Sequence, residues 1–168
     1  MILHYFSKKE SSEQLSSEET YKSILKLSKL FLEENNFFKN KNYNTSFEIV
    51  SFFLILHIKL NISFKTTNYK NINEILMSVF INDLDESLRT KGVGDMSIGK
   101  HVKSYVKKFY FRLSKFPKES SNLSTQELED YLNLFEFIEP NKVSLSALKF
   151  REQCKIIENS YIKINSQN

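Results

Sequence analysis

Ile98, Val102, Val106, Phe109, Leu113 and Phe116 recur at steps of four and three. At 3.6 residues per turn, those steps return to one side of a helix, and a helix with one apolar face has to pack that face on something. Five other segments carry the same signature. Ser16 and Glu19 have capping-box spacing and precede Tyr21, Ile24, Leu25, Leu27, Leu30, Phe31 and Leu32, which predicts a first helix ending near Asn35. Thr45 with Glu48 predicts the start of a second helix, running to about Ile62. Asn71 with Glu74 opens a third along Ile72, Ile75, Leu76, Val79, Phe80, Leu84 and Leu88. The 98–116 stripe is the fourth, starting near Ser97 and ended by Pro117. Ser124 with Glu127 caps a fifth (Leu128, Tyr131, Leu132, Phe135, Ile138), ended by Pro140. Ser144 opens a sixth, with Ala147, Phe150, Cys154, Ile157, Tyr161 and Ile164 on one face. With short polar connections and no strand-like alternation, the chain is expected to be all-α. The expected form is a single-domain bundle of about six helices over residues 16–168, after a flexible segment at residues 1–15.

The most apolar stretch is Phe47 to Phe64. It contains Glu48, His57, Lys59 and Asn61, and its uninterrupted apolar run, Phe52 to Leu56, is far shorter than the roughly 20 residues of a membrane span. It reads as a buried core helix. The single cysteine, Cys154, excludes a disulfide scaffold, and with three histidines it makes a Cys/His zinc site improbable. His4, His57 and His101 lack ligand spacing, and His57 reads as a satisfied core histidine.

All three glycines fall in Gly92-Val93-Gly94-Asp95-Met96-Ser97-Ile98-Gly99. A dinucleotide-binding glycine loop follows a strand, whereas this one follows a helix, and there is no Gly-Lys-Ser/Thr phosphate loop. The expected role is a helix–loop–helix corner, with positive φ at Gly92 and Gly94 and a cap from Asp95 or Ser97. On that reading Gly94→Val would cost a few kcal/mol. Asp83 lies one turn from both Val79 and Phe80, so it borders the apolar face and needs a partner. A tie to the glycine loop is expected of it, rather than acid–base work. Enzymatic use would require a convergent pair such as Asp83 beside His57.

The chain carries a net charge of +4. Much of its lysine excess accompanies high Asn, Ile, Phe and Tyr, the residues an AT-rich genome encodes. The distribution says more: Lys100 to Lys118 holds seven bases and no acid, and Glu119 to Asn141 holds six acids and no base. The first block offers a basic surface for ribosomal RNA, lipid headgroups or an acidic partner. Phe109-Tyr110-Phe111 beside Lys107, Lys108 and Arg112 interleaves aromatics with cations, as single-stranded RNA binders do. Phe109 belongs to the core stripe, which leaves Tyr110 and Phe111 as the exposed aromatics.

The segment Val79 to Phe116 resembles the ubiquinol–cytochrome c chaperone family. The matching residues are Phe80, Asp83, Asp85, Leu88, Arg89, Gly92, Val93, Gly94, Asp95, Lys100, Phe109, Tyr110 and Arg112. Phe47 to Leu60 resembles the family's apolar helix, with His57 on its Leu-His pair. Phe111 replaces the family's usual Gly, Thr90 and Lys91 replace an acidic residue and a Met, and residues 124–168 show little of the family's C-terminal pattern. The resemblance implies an assembly chaperone for respiratory complex III that binds newly made cytochrome b. It also implies contact with the ribosome and a second assembly factor, and it names no catalytic residue.

The residues expected to carry function are therefore the corner Asp83, Asp85, Arg89, Gly92, Gly94 and Asp95, and the basic surface Lys100, Lys103, Lys107, Tyr110 and Arg112. An exposed apolar surface between the second and fourth helices is expected to hold the client. No enzymatic activity, metal, cofactor or small-molecule substrate is expected. With no recognisable presequence, the expected location is a bacterial cytoplasm with peripheral contact at the inner membrane. The alternative reading is a small basic RNA- or ribosome-binding protein.

Overall fold

The computed structural model describes residues 12–166. The helices are α1 (Ser12–Glu34), α2 (Tyr43–Ser63), α3 (Tyr69–Thr90), α4 (Asp95–Lys115), α5 (Thr125–Asn133) and α6 (Val143–Asn165), with a 3-10 turn, Pro140–Lys142, before α6. Among the described residues there is no strand; a lone antiparallel bridge joins Phe38 to Ile138. Lys39 N donates to Phe137 O at 3.0 Å and Glu139 N to Phe37 O at 2.9 Å, fastening the α1–α2 connection to the segment before α6. The all-α bundle expected from the stripes is the fold observed.

The centre is α2. Phe52, Phe53, Leu54, Ile55 and Leu56 are all buried. Successive helical residues lie about 100° apart, so five in a row need cover on every side. That cover comes from α1, α3, α4 and α6, while α5 packs on α6. By length and composition α2 is apolar enough to cross a membrane, yet 67% of its apolar window is buried within the bundle. Around it the core is largely phenylalanine: Phe150 of α6 lies 4.5 Å from Phe52 and 4.6 Å from Phe31, centroid to centroid. Each such ring pair contributes about 0.5–1.5 kcal/mol beyond area burial.

Several helix starts differ from expectation; α2 is capped by another polar side chain, while α3, α4 and α6 start without a side-chain cap hydrogen bond, so neither Asp95 nor Ser97 caps α4. The first helix is already formed at Ser12, so part of the expected flexible segment is helical; residues 1–11, with His4, lie outside the described residues. Ser16 and Glu19 sit inside α1, where their carbonyls accept from Thr20 and Ser23. Asn42, not Thr45, caps α2, its side chain accepting from Thr45 N at 3.1 Å. Helix α3 starts two residues before Asn71, at the left-handed Asn68 (φ 56°). Helix α4 starts at Asp95, two residues before Ser97, and α6 starts at Val143. Pro140 opens the 3-10 turn; α5 has ended at Asn133. The Ser124–Glu127 capping box is present as expected.

The glycine corner keeps half of its expected geometry. Gly92 has φ +88° and follows the last turn of α3, with Gly92 N donating to Arg89 O at 2.8 Å and Val93 N to Leu88 O at 3.1 Å. These two bonds satisfy carbonyls that the helix end leaves open. Gly94 departs from expectation: its φ of −71° and ψ of 155° are ordinary extended values, suited to a residue preceding a helix, and its carbonyl accepts from Ile98 N at 3.1 Å. A Cβ at either glycine meets nothing within 4 Å, so only φ separates them. Gly92→Ala should therefore lower stability by about 1–2 kcal/mol. Gly94→Ala should change it by less than about 0.5 kcal/mol. Paired thermal melts check both, and equal losses would contradict the assignment.

Candidate functional site

The corner formed by the end of α3 and the start of α4 presents an exposed ion network. The Arg89 guanidinium hydrogen-bonds Asp85, one turn back on α3, and Asp95, the first residue of α4. It thus straddles the loop that Gly92 turns. All three side chains are exposed, and pairs in that setting contribute little stability. Their effect is geometric: they hold the two helices at a fixed relation. Asp95 also places a carboxylate on the first turn of α4, where the helix dipole favours it.

Asp83 is not tied to that loop. It faces α1, where the buried Tyr21 hydroxyl donates to Asp83 Oδ2 at 2.8 Å. Burial and the adjacent carboxylate push the Tyr21 phenol well above its ordinary range, keeping it a donor. Below, the Tyr43 hydroxyl and Ser87 Oγ are 2.8 Å apart. Between α1, α2 and α3 a cavity of about 140 Å3 opens, lined by Tyr43, Phe47, Val50, Phe80, Asp83 and Ser87 among others.

Asp83 and His57 do not meet. The His57 ring faces α6, with Nδ1 2.9 Å from the Tyr161 hydroxyl. Burial lowers the His57 imidazole to about 4, so it is neutral at pH 7 and is satisfied by that tyrosine. Among the described residues no group of three or more His, Cys, Asp or Glu is arranged to hold a metal. Cys154 is buried, which pushes its thiol up to about 12 and leaves it a packing residue.

On α4, Lys100, Lys103, Lys107, Tyr110 and Phe111 are exposed as expected. With the fully exposed Met96 they lie along one outward strip, since 96, 100, 103, 107 and 111 step by three and four. Lys115 Nζ lies 5.6 Å over the Phe111 ring.

Arg112 does not join this surface. Its Nε donates to Glu48 Oε2 at 2.8 Å and its guanidinium NH2 to Glu48 Oε1 at 2.6 Å. The two side chains are only 15% and 12% exposed. The guanidinium also sits 4.5 Å over the Phe135 ring, and the Tyr131 hydroxyl reaches the Arg112 carbonyl. One residue thus joins α4, α2 and the segment after α5. Glu48, expected only at the start of the second helix, is its ion-pair partner.

Among the described residues the expected apolar client surface between α2 and α4 does not form as drawn, because most of the apolar residues of α2 are buried in the core. Large exposed apolar side chains instead mark α6, where Leu145, Leu148 and Ile156 follow one face, and the outer strip of α4.

A bidentate pair this far from water is costly to break on one side only. Arg112→Leu should lower stability by about 3 kcal/mol, because Glu48 is left without its partner. The double variant Glu48→Leu/Arg112→Leu should regain most of that loss. Urea unfolding of the two single variants and the double checks this, and additive losses would contradict the coupling.

The model of one protein family, described as ubiquinol-cytochrome C chaperone, matches residues 37–144. The match takes in α2 to α5, the glycine corner, the Glu48–Arg112 pair and the Phe38–Ile138 bridge, well beyond the two segments that carry the resemblance in the sequence. No curated protein and no solved structure matches the chain.

Proposed function

The chain belongs to the ubiquinol-cytochrome c chaperone family, and from that membership we propose that its client is newly made cytochrome b. The coarser role is that of an assembly chaperone for the ubiquinol–cytochrome c reductase complex, complex III, with a client protein of that assembly as its partner. The observation that carries the reading is the match over residues 37–144. It acts by binding and not by catalysis. In support, Asp83 and His57 point to different neighbours, Asp83 to Tyr21 and His57 to Tyr161, and do not form a convergent pair.

The outer strip of α4 suits such work. Met96, Tyr110 and Phe111 give apolar contact points among Lys100, Lys103 and Lys107. A segment emerging with both apolar side chains and anionic surroundings would meet complementary groups there. We place this work at the cytoplasmic face of the inner membrane of a bacterium, where a second assembly factor would share the client.

The same lysines and aromatics favour a second reading, in which the strip holds ribosomal RNA. Salt separates the two. Phosphate contacts weaken steeply with salt, by roughly 0.7–0.9 log units per contact for each tenfold rise. Apolar client contacts do not. A tagged copy purified from its native cell at low and at moderately high salt should retain cytochrome b under both conditions, read by mass spectrometry. Recovery of ribosomal proteins and RNA alone, lost at high salt, would overturn the client reading and leave the ribosome as the partner.

A further inference from the structure

The cavity between α1, α2 and α3 joins apolar walls to one carboxylate. Phe47, Val50 and Phe80 line it, and Asp83 faces into it beside the Tyr43–Ser87 hydroxyl pair. Tyr21 holds Asp83 Oδ2 at 2.8 Å, which fixes the carboxylate and leaves Oδ1 to meet a ligand. Among the described residues, no Lys or Arg forms an ion pair with Asp83, although the corner carboxylates Asp85 and Asp95 share Arg89. A carboxylate kept at an apolar cavity without a cation is a costly arrangement unless something charged arrives. The Tyr43 ring already attracts a cation on this side of the molecule, with Lys91 Nζ 4.8 Å from its centroid.

These features select the occupant. A metal ion needs several oxygen ligands and gains nothing from phenylalanine walls. A wholly apolar group would leave the Asp83 charge desolvated with only the Tyr21 hydroxyl to meet it. A side chain with a methylene stem and a cationic end satisfies both parts of the site, the stem against Phe47, Val50 and Phe80 and the charge against Asp83. We propose that this cavity receives a lysine or arginine side chain presented by the client polypeptide, with Asp83 as its counter-ion. The source of that side chain rests on the chaperone reading above; the chemistry of the cavity does not.

The test uses the whole protein and a side-chain mimic. Wild-type protein is titrated with n-butylguanidinium and, separately, with n-pentanol at matched ionic strength, followed by NMR. The expected result is saturable shifts centred on Val50, Phe80 and Ser87, with the cation binding about tenfold more tightly than the alcohol. Asp83→Asn keeps an acceptor for Tyr21 but loses the charge, and should weaken the cation by about the same factor while leaving the alcohol unchanged. Equal binding of cation and alcohol, or cation shifts confined to other acidic surfaces, would overturn the proposal. The comparison on wild-type protein decides the matter even if the variant does not fold. Failure here would leave the assembly role standing, since that role is decided by what the chain retains from the cell.

Discussion

Five consecutive buried residues, Phe52 to Leu56, set the architecture. A helix can bury one face against a single neighbour, but not its whole circumference. The rest of the chain therefore has to surround α2, and α1, α3, α4 and α6 do so. This also accounts for a helix with the length and hydropathy of a membrane span lying inside a bundle. Its polar residues confirm the arrangement one by one. Asn61 donates to Asn73 of α3, His57 meets Tyr161 of α6, and Glu48 meets Arg112 of α4. These three breaks in the apolar sequence of α2 each meet a matching polar group on a different neighbour, so register between helices is fixed by chemistry as well as by shape.

The Glu48–Arg112 pair has the widest reach of these. It pins the basic helix by its inner edge, so the lysines at 100, 103 and 107 point away from the bundle. The Gly92 turn and the Arg89 bridge fix the other end of the same helix. The charged, aromatic-bearing strip is thereby tied to the bundle at both ends of α4.

Much of this was legible in the sequence. The apolar stripes give all six helices, since side-chain period is a property of the backbone that packing seldom overrides. Helix starts were less legible because several residues can cap: Asn42 stands three residues before Thr45 and accepts from the Thr45 amide, and helix α1 runs back through Ser16. Gly92 and Gly94 look alike in sequence, yet here only Gly92, after the end of α3, takes positive φ; Gly94, before α4, takes extended angles open to any side chain. Arg112 carried a signal that composition hid. It lies three residues after Phe109 and four before Phe116, both buried, so it falls at the edge of the core stripe and not on the lysine face. Glu48, four residues before Phe52, carried the matching signal. The position of Asp83 at the edge of the apolar face shows that it needs a partner, but Tyr21 lies 62 residues away and nothing local announces it.

Membership of the ubiquinol-cytochrome c chaperone family names the assembly the chain serves, and the basic strip of α4 and the acid-floored cavity are the surfaces proposed to meet its client. The most direct measurement of that claim is the amount of assembled ubiquinol–cytochrome c reductase in membranes from cells lacking this protein, resolved on native gels and compared with cells carrying a restored copy. The account predicts that the assembled complex falls sharply without the protein and returns with it. An unchanged level of assembled complex would contradict it.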